Sequence, residues 1–145
     1  MSKKPKFAKS KDGLFKGMSS VACPANAQNE DDDFLLSFKY LDRNQGQTLC
    51  DWEAERILAA GLDTLRNYCC SSLTSQLDGK KFTTYDGFPP DSGFDYPLHV
   101  PEDVIWGRIH VNGKQVIAGF VNKNIFNVVF LDKDHEFWPT EKKHT

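Results

Sequence analysis

An α+β domain follows from three features of the chain. Residues 34–41 alternate apolar and polar side chains, residues 52–69 carry a helical apolar stripe, and residues 104–131 hold apolar runs separated by turn residues. Together they predict a small antiparallel or mixed sheet, made of one N-terminal strand and a C-terminal three-strand meander, packed on one main helix.

At 145 residues the chain is long enough to bury about two thirds of its unfolded surface without help from disulfides. The formal net charge of −2 gives no global field toward nucleic acid or an anionic membrane, so a polyanion would have to meet a local patch. Residues 1–17 carry six Lys against one Asp, and residues 30–33 read EDDD. This composition predicts a flexible basic and acidic leader over 1–32, one domain over 33–140 and a basic tail over 141–145. Cys23, Cys50, Cys69 and Cys70 lack C-x-x-C spacing, and the adjacent pair is poorly placed to bond to itself, so free thiols in a reducing cytoplasm are expected. No apolar run has the length of a membrane span.

The first strand is expected at "FLLSFKYL", with Phe34, Leu36, Phe38 and Tyr40 on one face. Thr48 and Asp51 then have the spacing of a capping box, so a helix should begin near Leu49. Trp52, Ile57, Leu58, Leu62, Leu65 and Cys69 form its buried stripe, Glu53/Arg56 and Asp63/Arg66 pair on the outside, and the helix should end between Tyr68 and Ser72. "KKFTTY" reads as a short strand or a helical turn. Residues 86–103 contain four Pro and two Gly, which predicts a long irregular loop, pinned to the body by Phe88, Phe94 and Tyr96.

Asn112-Gly113 is a preferred two-residue hairpin turn. Centred there, it sets Ile109 opposite Val116 and Gly107 opposite Ala118, and leaves Trp106, Arg108, His110 and Gln115 together on the other face. A second turn at "NKN" leads into "IFNVVFL", whose continuous apolar character suits an interior strand. A polar turn from Asp132 to His135 closes the meander.

Trp106, Arg108, Gly113, Lys114, Val116 and Ile117, followed by "VVFLDKDHEFW" with His135 and Trp138, resemble the C-terminal core of the RelE/ParE toxin superfamily. The likeness is specific over residues 104–138. Lys114-Gln115 stands where that family usually has Tyr-Arg, and Glu136 follows His135 where a basic residue is expected. The resemblance implies a sheet backed by helices, an antitoxin partner, and either ribosome-dependent mRNA cleavage or binding to a target such as DNA gyrase.

Metal-independent RNA cleavage needs a proton acceptor, a proton donor and a cation near the phosphorane, roles that suit His and Arg. Arg108 is the candidate phosphate clamp, with His110 and His135 as acid and base. Lys114, Gln115, Lys133, Lys142, Lys143 and Trp106 are candidates for contacting RNA. The plainer readings are solvent-facing sheet residues for Arg108 and His110, a self-bonded turn residue for His135, and buried anchors for Trp106 and Trp138. Asp132, Asp134 and Glu136 would repel a phosphate backbone, which favours the rival reading of a non-catalytic protein-binding module. The His and Cys spacings offer no metal site, and no phosphate loop or small-molecule cofactor motif is present.

Overall fold

A computed structural model describes residues 32–139. The leader through residue 31, and Lys142, Lys143 and His144, lie outside them. The strands are β1 (Leu35–Ser37), β2 (Phe82–Tyr85), β3 (Ile105–His110), β4 (Val116–Asn122) and β5 (Ile125–Asp132), and the helices are α1 (Leu49–Ala54) and α2 (Leu58–Tyr68). The sheet order is β1-β5-β4-β3-β2. β1 runs parallel to β5, and the other neighbours are antiparallel.

The Thr48 capping box forms as expected, with Asp51 N–H donating to Thr48 Oγ1 at 3.0 Å and Thr48 N–H to Asp51 Oδ2 at 2.9 Å. The single long helix does not. Arg56 takes φ 61, the Ile57 N–H reaches back to the Trp52 carbonyl at 2.9 Å, and the Arg56 N–H to that of Glu53 at 3.0 Å. These two bonds are a Schellman motif, which ends α1 and lets α2 start in a new direction. Asp63 and Arg66 pair at 3.4 Å as the helical spacing predicts.

β1 is also shorter than expected. The chain leaves the sheet after Ser37 and turns, with the Leu41 N–H on the Phe38 carbonyl. Phe34 and Leu36 therefore join the core beneath the helices, while Tyr40 packs on the opposite side of the sheet. Phe38 stays exposed.

The hairpin closes one residue later than the Asn112-Gly113 reading. Gln115 N–H donates to the Asn112 carbonyl, so Gly113, at φ 54, and Lys114 are the central residues. The Val111 N–H also donates to the Gln115 carbonyl at 2.9 Å, so Val111 and Asn112 both oppose Gln115, a bulge that leaves every cross-strand pair one residue from the expected one: Ile109 lies opposite Ile117, Arg108 opposite Ala118 and His110 opposite Val116. Arg108 and His110 still share a face, because the bulge lies beyond His110.

Both faces of the sheet are covered. Phe34, Trp52, Leu65, Phe82, Ile109 and Phe126 fill the helix side. On the other side Trp106, Phe120, Val129 and Phe130 pack under Phe94, Val100 and Phe137, with Phe88 and Tyr96 against them. The proline-rich segment is thus a wall of the core, pinned through Phe88, Phe94 and Tyr96 as expected, and it roofs the face that carries Trp106. β5 is buried from Phe126 to Asp132, as its apolar run predicts. No helix among the described residues is long and apolar enough to cross a membrane.

Cys50 and Cys69 carry free thiols. Cys70 is disulfide-bonded, which corrects the expectation of four free thiols at that residue. Its neighbour Cys69 is not the partner, consistent with the poor geometry of adjacent cysteines.

Candidate functional site

β3 delivers Arg108 and His110 to the loop side of the sheet, two residues apart and therefore on one face. His135 arrives from beyond β5. Asp132, at the end of β5 and fully buried, accepts the Glu136 N–H at 2.9 Å and the Phe137 N–H at 2.8 Å through its carboxylate. Those bonds fold the 132–137 turn tightly enough to hold His135 at φ 61, a conformation uncommon for a non-glycine residue and frequent where structure serves a site. Burial pushes the Asp132 carboxyl up, and the two backbone donors work in the opposite direction.

The three side chains meet. Arg108 Nη1 lies 2.8 Å from His110 Nε2 and 2.5 Å from His135 Nε2, and the two imidazole rings are 5.2 Å apart between centroids. A guanidinium only donates, so each Nε2 is an acceptor and each ring carries its proton on Nδ1. Burial, then the charge of Arg108, then His135, hold the His110 pKa below its ordinary value, with Asp78 pulling the other way. All three residues are half-buried, so the cluster sits at the margin of the loop-side core.

Two buried polar atoms beside it have no hydrogen-bond partner: Arg108 Nε and Thr83 Oγ1, which face each other across β2 and β3. Tyr85 is the next loop-side residue of β2. Burial raises its pKa, and the Arg108 charge acts against that rise. Trp138 stacks on Tyr85 with centroids 4.0 Å apart and planes at 4°. The pair lines an open cavity of about 420 Å³ together with Thr84, Asp86, Phe88 and Pro90.

The remaining sequence candidates divide. Trp106 is fully buried, in contact with Phe88, Tyr96 and Phe137, so its role as a base-stacking residue is corrected to that of a core anchor. Lys133 is drawn away by Glu55, 2.5 Å from its Nζ, and that ion pair raises the lysine's pKa. Lys114 is exposed at the hairpin tip, and Gln115 is half-buried beside it with its backbone closing the turn. Thr83, Tyr85 and the positioning Asp132 escaped sequence reasoning; "KKFTTY" was legible only as an ambiguous stretch, and nothing local marks an Asp as buried. Among the described residues no cluster of His, Cys, Asp or Glu is arranged to hold a metal ion.

Comparison with known proteins finds no matching family model, no matching curated protein and no matching solved structure.

Proposed function

We propose that the chain is a toxin-like protein of RelE/ParE type that cleaves RNA without a metal ion, in the manner of an mRNA endoribonuclease. The observation that carries this reading is the placement of Arg108 Nη1 between the Nε2 atoms of His110 and His135. An incoming phosphodiester competes for the guanidinium, and its transfer from the histidines to a phosphate oxygen frees both Nε2 lone pairs. One imidazole then takes the proton of the 2′-OH as its oxygen bonds to phosphorus. The other, protonated once the guanidinium no longer faces it, gives its proton to the departing 5′-oxygen as the phosphorus–oxygen bond breaks. Products are a 2′,3′-cyclic phosphate and a free 5′-OH. Arg108 stabilises the phosphorane charge through its guanidinium. The Tyr85–Trp138 stack offers a platform for a flanking base.

The cytoplasmic setting, the antitoxin and the ribosome belong to this proposal alone. Free thiols at Cys50 and Cys69 accord with a reducing compartment, and the disulfide at Cys70 counts against it. The test is expression of the unmutated chain beside Arg108→Ala and His135→Ala, with growth and mRNA integrity followed. Arrested growth and cut mRNA that both substitutions abolish support the reading; normal growth with intact mRNA from the unmutated chain removes it.

A second reading, a non-catalytic module that docks a protein such as a gyrase-type target, draws on exposed apolar side chains beside the helices. Phe38, Leu49 and Leu62 are 42%, 40% and 44% exposed. Recovery of one stoichiometric protein partner, unaffected by nuclease and by Arg108→Ala, selects it over the enzyme.

A further inference from the structure

A shallow apolar groove runs beside the helices, on the side of the sheet opposite Arg108. Phe38, Leu49, Leu58 and Leu62 line it over a floor of Trp52 and Leu65, and Phe38, Leu49 and Leu62 stay exposed to solvent. Bare apolar side chains grouped in this way, with charged residues around them, mark a docking surface. Two observations at the end of α2 name its occupant. Cys70 is disulfide-bonded, Cys50 and Cys69 carry free thiols, and the chain has four cysteines, so Cys23 is the partner left for Cys70. The described chain also begins at this corner, where the Leu73 N–H donates to the Asp32 carbonyl and the Phe34 N–H to that of Ser71. The segment that precedes residue 32 is therefore fastened to the end of α2 twice, once through the backbone and once through sulfur.

We propose that the groove takes residues 14–18 of the chain's own N-terminal segment, Leu-Phe-Lys-Gly-Met, held over α2 by a disulfide between Cys23 and Cys70. The reach is sufficient. Leu62 stands eight residues before Cys70, about 12 Å at the helical rise, and the five residues from Met18 to Cys23 span up to about 17 Å when extended. Leu14, Phe15 and Met18 bring the apolar side chains that Phe38, Leu49 and Leu62 lack as neighbours. The charges are complementary as well: residues 1–17 carry six Lys against one Asp, whereas residues 49–68 carry Asp51, Glu53, Glu55 and Asp63 against Arg56 and Arg66. The disulfide makes docking an event within one molecule, so a small apolar contact is enough to hold it. None of this depends on the ribonuclease reading, whose residues lie on the other side of the sheet.

The test uses the full chain, purified without reductant, with photoreactive p-benzoylphenylalanine in place of Phe15. Peptide mapping should find Cys23 joined to Cys70, and illumination should link position 15 to groove residues of the same molecule. Leu62→Glu, at an exposed site, and Met18→Glu, outside the described residues, should each lower the yield of that link by about tenfold or more, with circular dichroism unchanged. The proposal is overturned by a Cys70 that is free or joined to any other cysteine, by the absence of a link, or by a yield that either substitution leaves intact. Links that join two copies of the chain, that fall outside the groove, or that run to a foreign protein overturn it as well, by giving the groove a different occupant or the segment a different place.

Discussion

Arg108 Nη1 donates to His135 Nε2 at 2.5 Å, joining the end of β3 to a turn 27 residues downstream. The contact fixes the ring's tautomer and requires both the β3 parity and the Asp132-held turn.

If the chain is the ribonuclease proposed above, Arg108 should be replaceable for folding but not for RNA cleavage. Arg108→Lys keeps the charge but loses the planar guanidinium that can hold a phosphate through two nitrogens at once. Its cleavage rate should fall by about 10²-fold or more, the scale of removing one donor to a developing oxyanion, while circular dichroism stays unchanged. A variant with full activity would separate the guanidinium from the chemistry.

Acid should loosen the cluster. Protonating His110 removes an acceptor from Arg108 and sets a second positive charge beside it and near His135, with only Asp78 compensating. Its pKa is depressed on folding, so the unfolded chain binds the proton more readily, and stability rises with pH through that window. The contribution is full above the ordinary histidine value near 6.5 and is lost as pH falls through the lower folded value. Melting curves from pH 5 to 8 should show this slope in the unmutated chain and a shallower one in His110→Asn.

Gly119→Ala should be severe. The strand register shifts between Ala118 and Gly119, and a Cβ at Gly119 would stand 1.9 Å from the Asn127 carbonyl oxygen. Backbone on an interior strand cannot move aside, so the cost belongs at the upper end of the ~1–3 kcal/mol of overpacking, or beyond it. Chemical denaturation measures it directly.

Arg56→Gly should stabilise. Arg56 holds φ 61 at the Schellman position, where glycine bears no Cβ penalty. A gain of about 0.5–1 kcal/mol, read as a melting point a few degrees higher, is expected. A loss would mean that the arginine side chain does more than cap α1.

That same residue explains one limit of legibility. The stripe from Trp52 to Cys69 is continuous in sequence, and a break at an arginine carries no glycine to announce it. The capping box, the interior β5 and the shared face of Arg108 and His110 were readable because each depends on local spacing. The hairpin register differs by one because the turn centres on Gly113-Lys114 while Val111 and Asn112 both oppose Gln115, a bulge that the Asn-Gly dipeptide does not announce. The meeting of His135 with Arg108 was not readable, since it depends on a buried aspartate bonding two distant amides. The covered loop side was half legible: Phe88, Phe94 and Tyr96 signalled anchoring, but not that they roof Trp106.

The parallel pairing of β1 with β5 ties opposite ends of the described chain, through Asn124 Nδ2 on the Asp33 carbonyl 91 positions away. During synthesis the first strand must wait, unmatched, until the last has left the ribosome. Completion of the sheet is consequently a late, long-range closure, and a product truncated before residue 125 is left with two raw edges open to self-association.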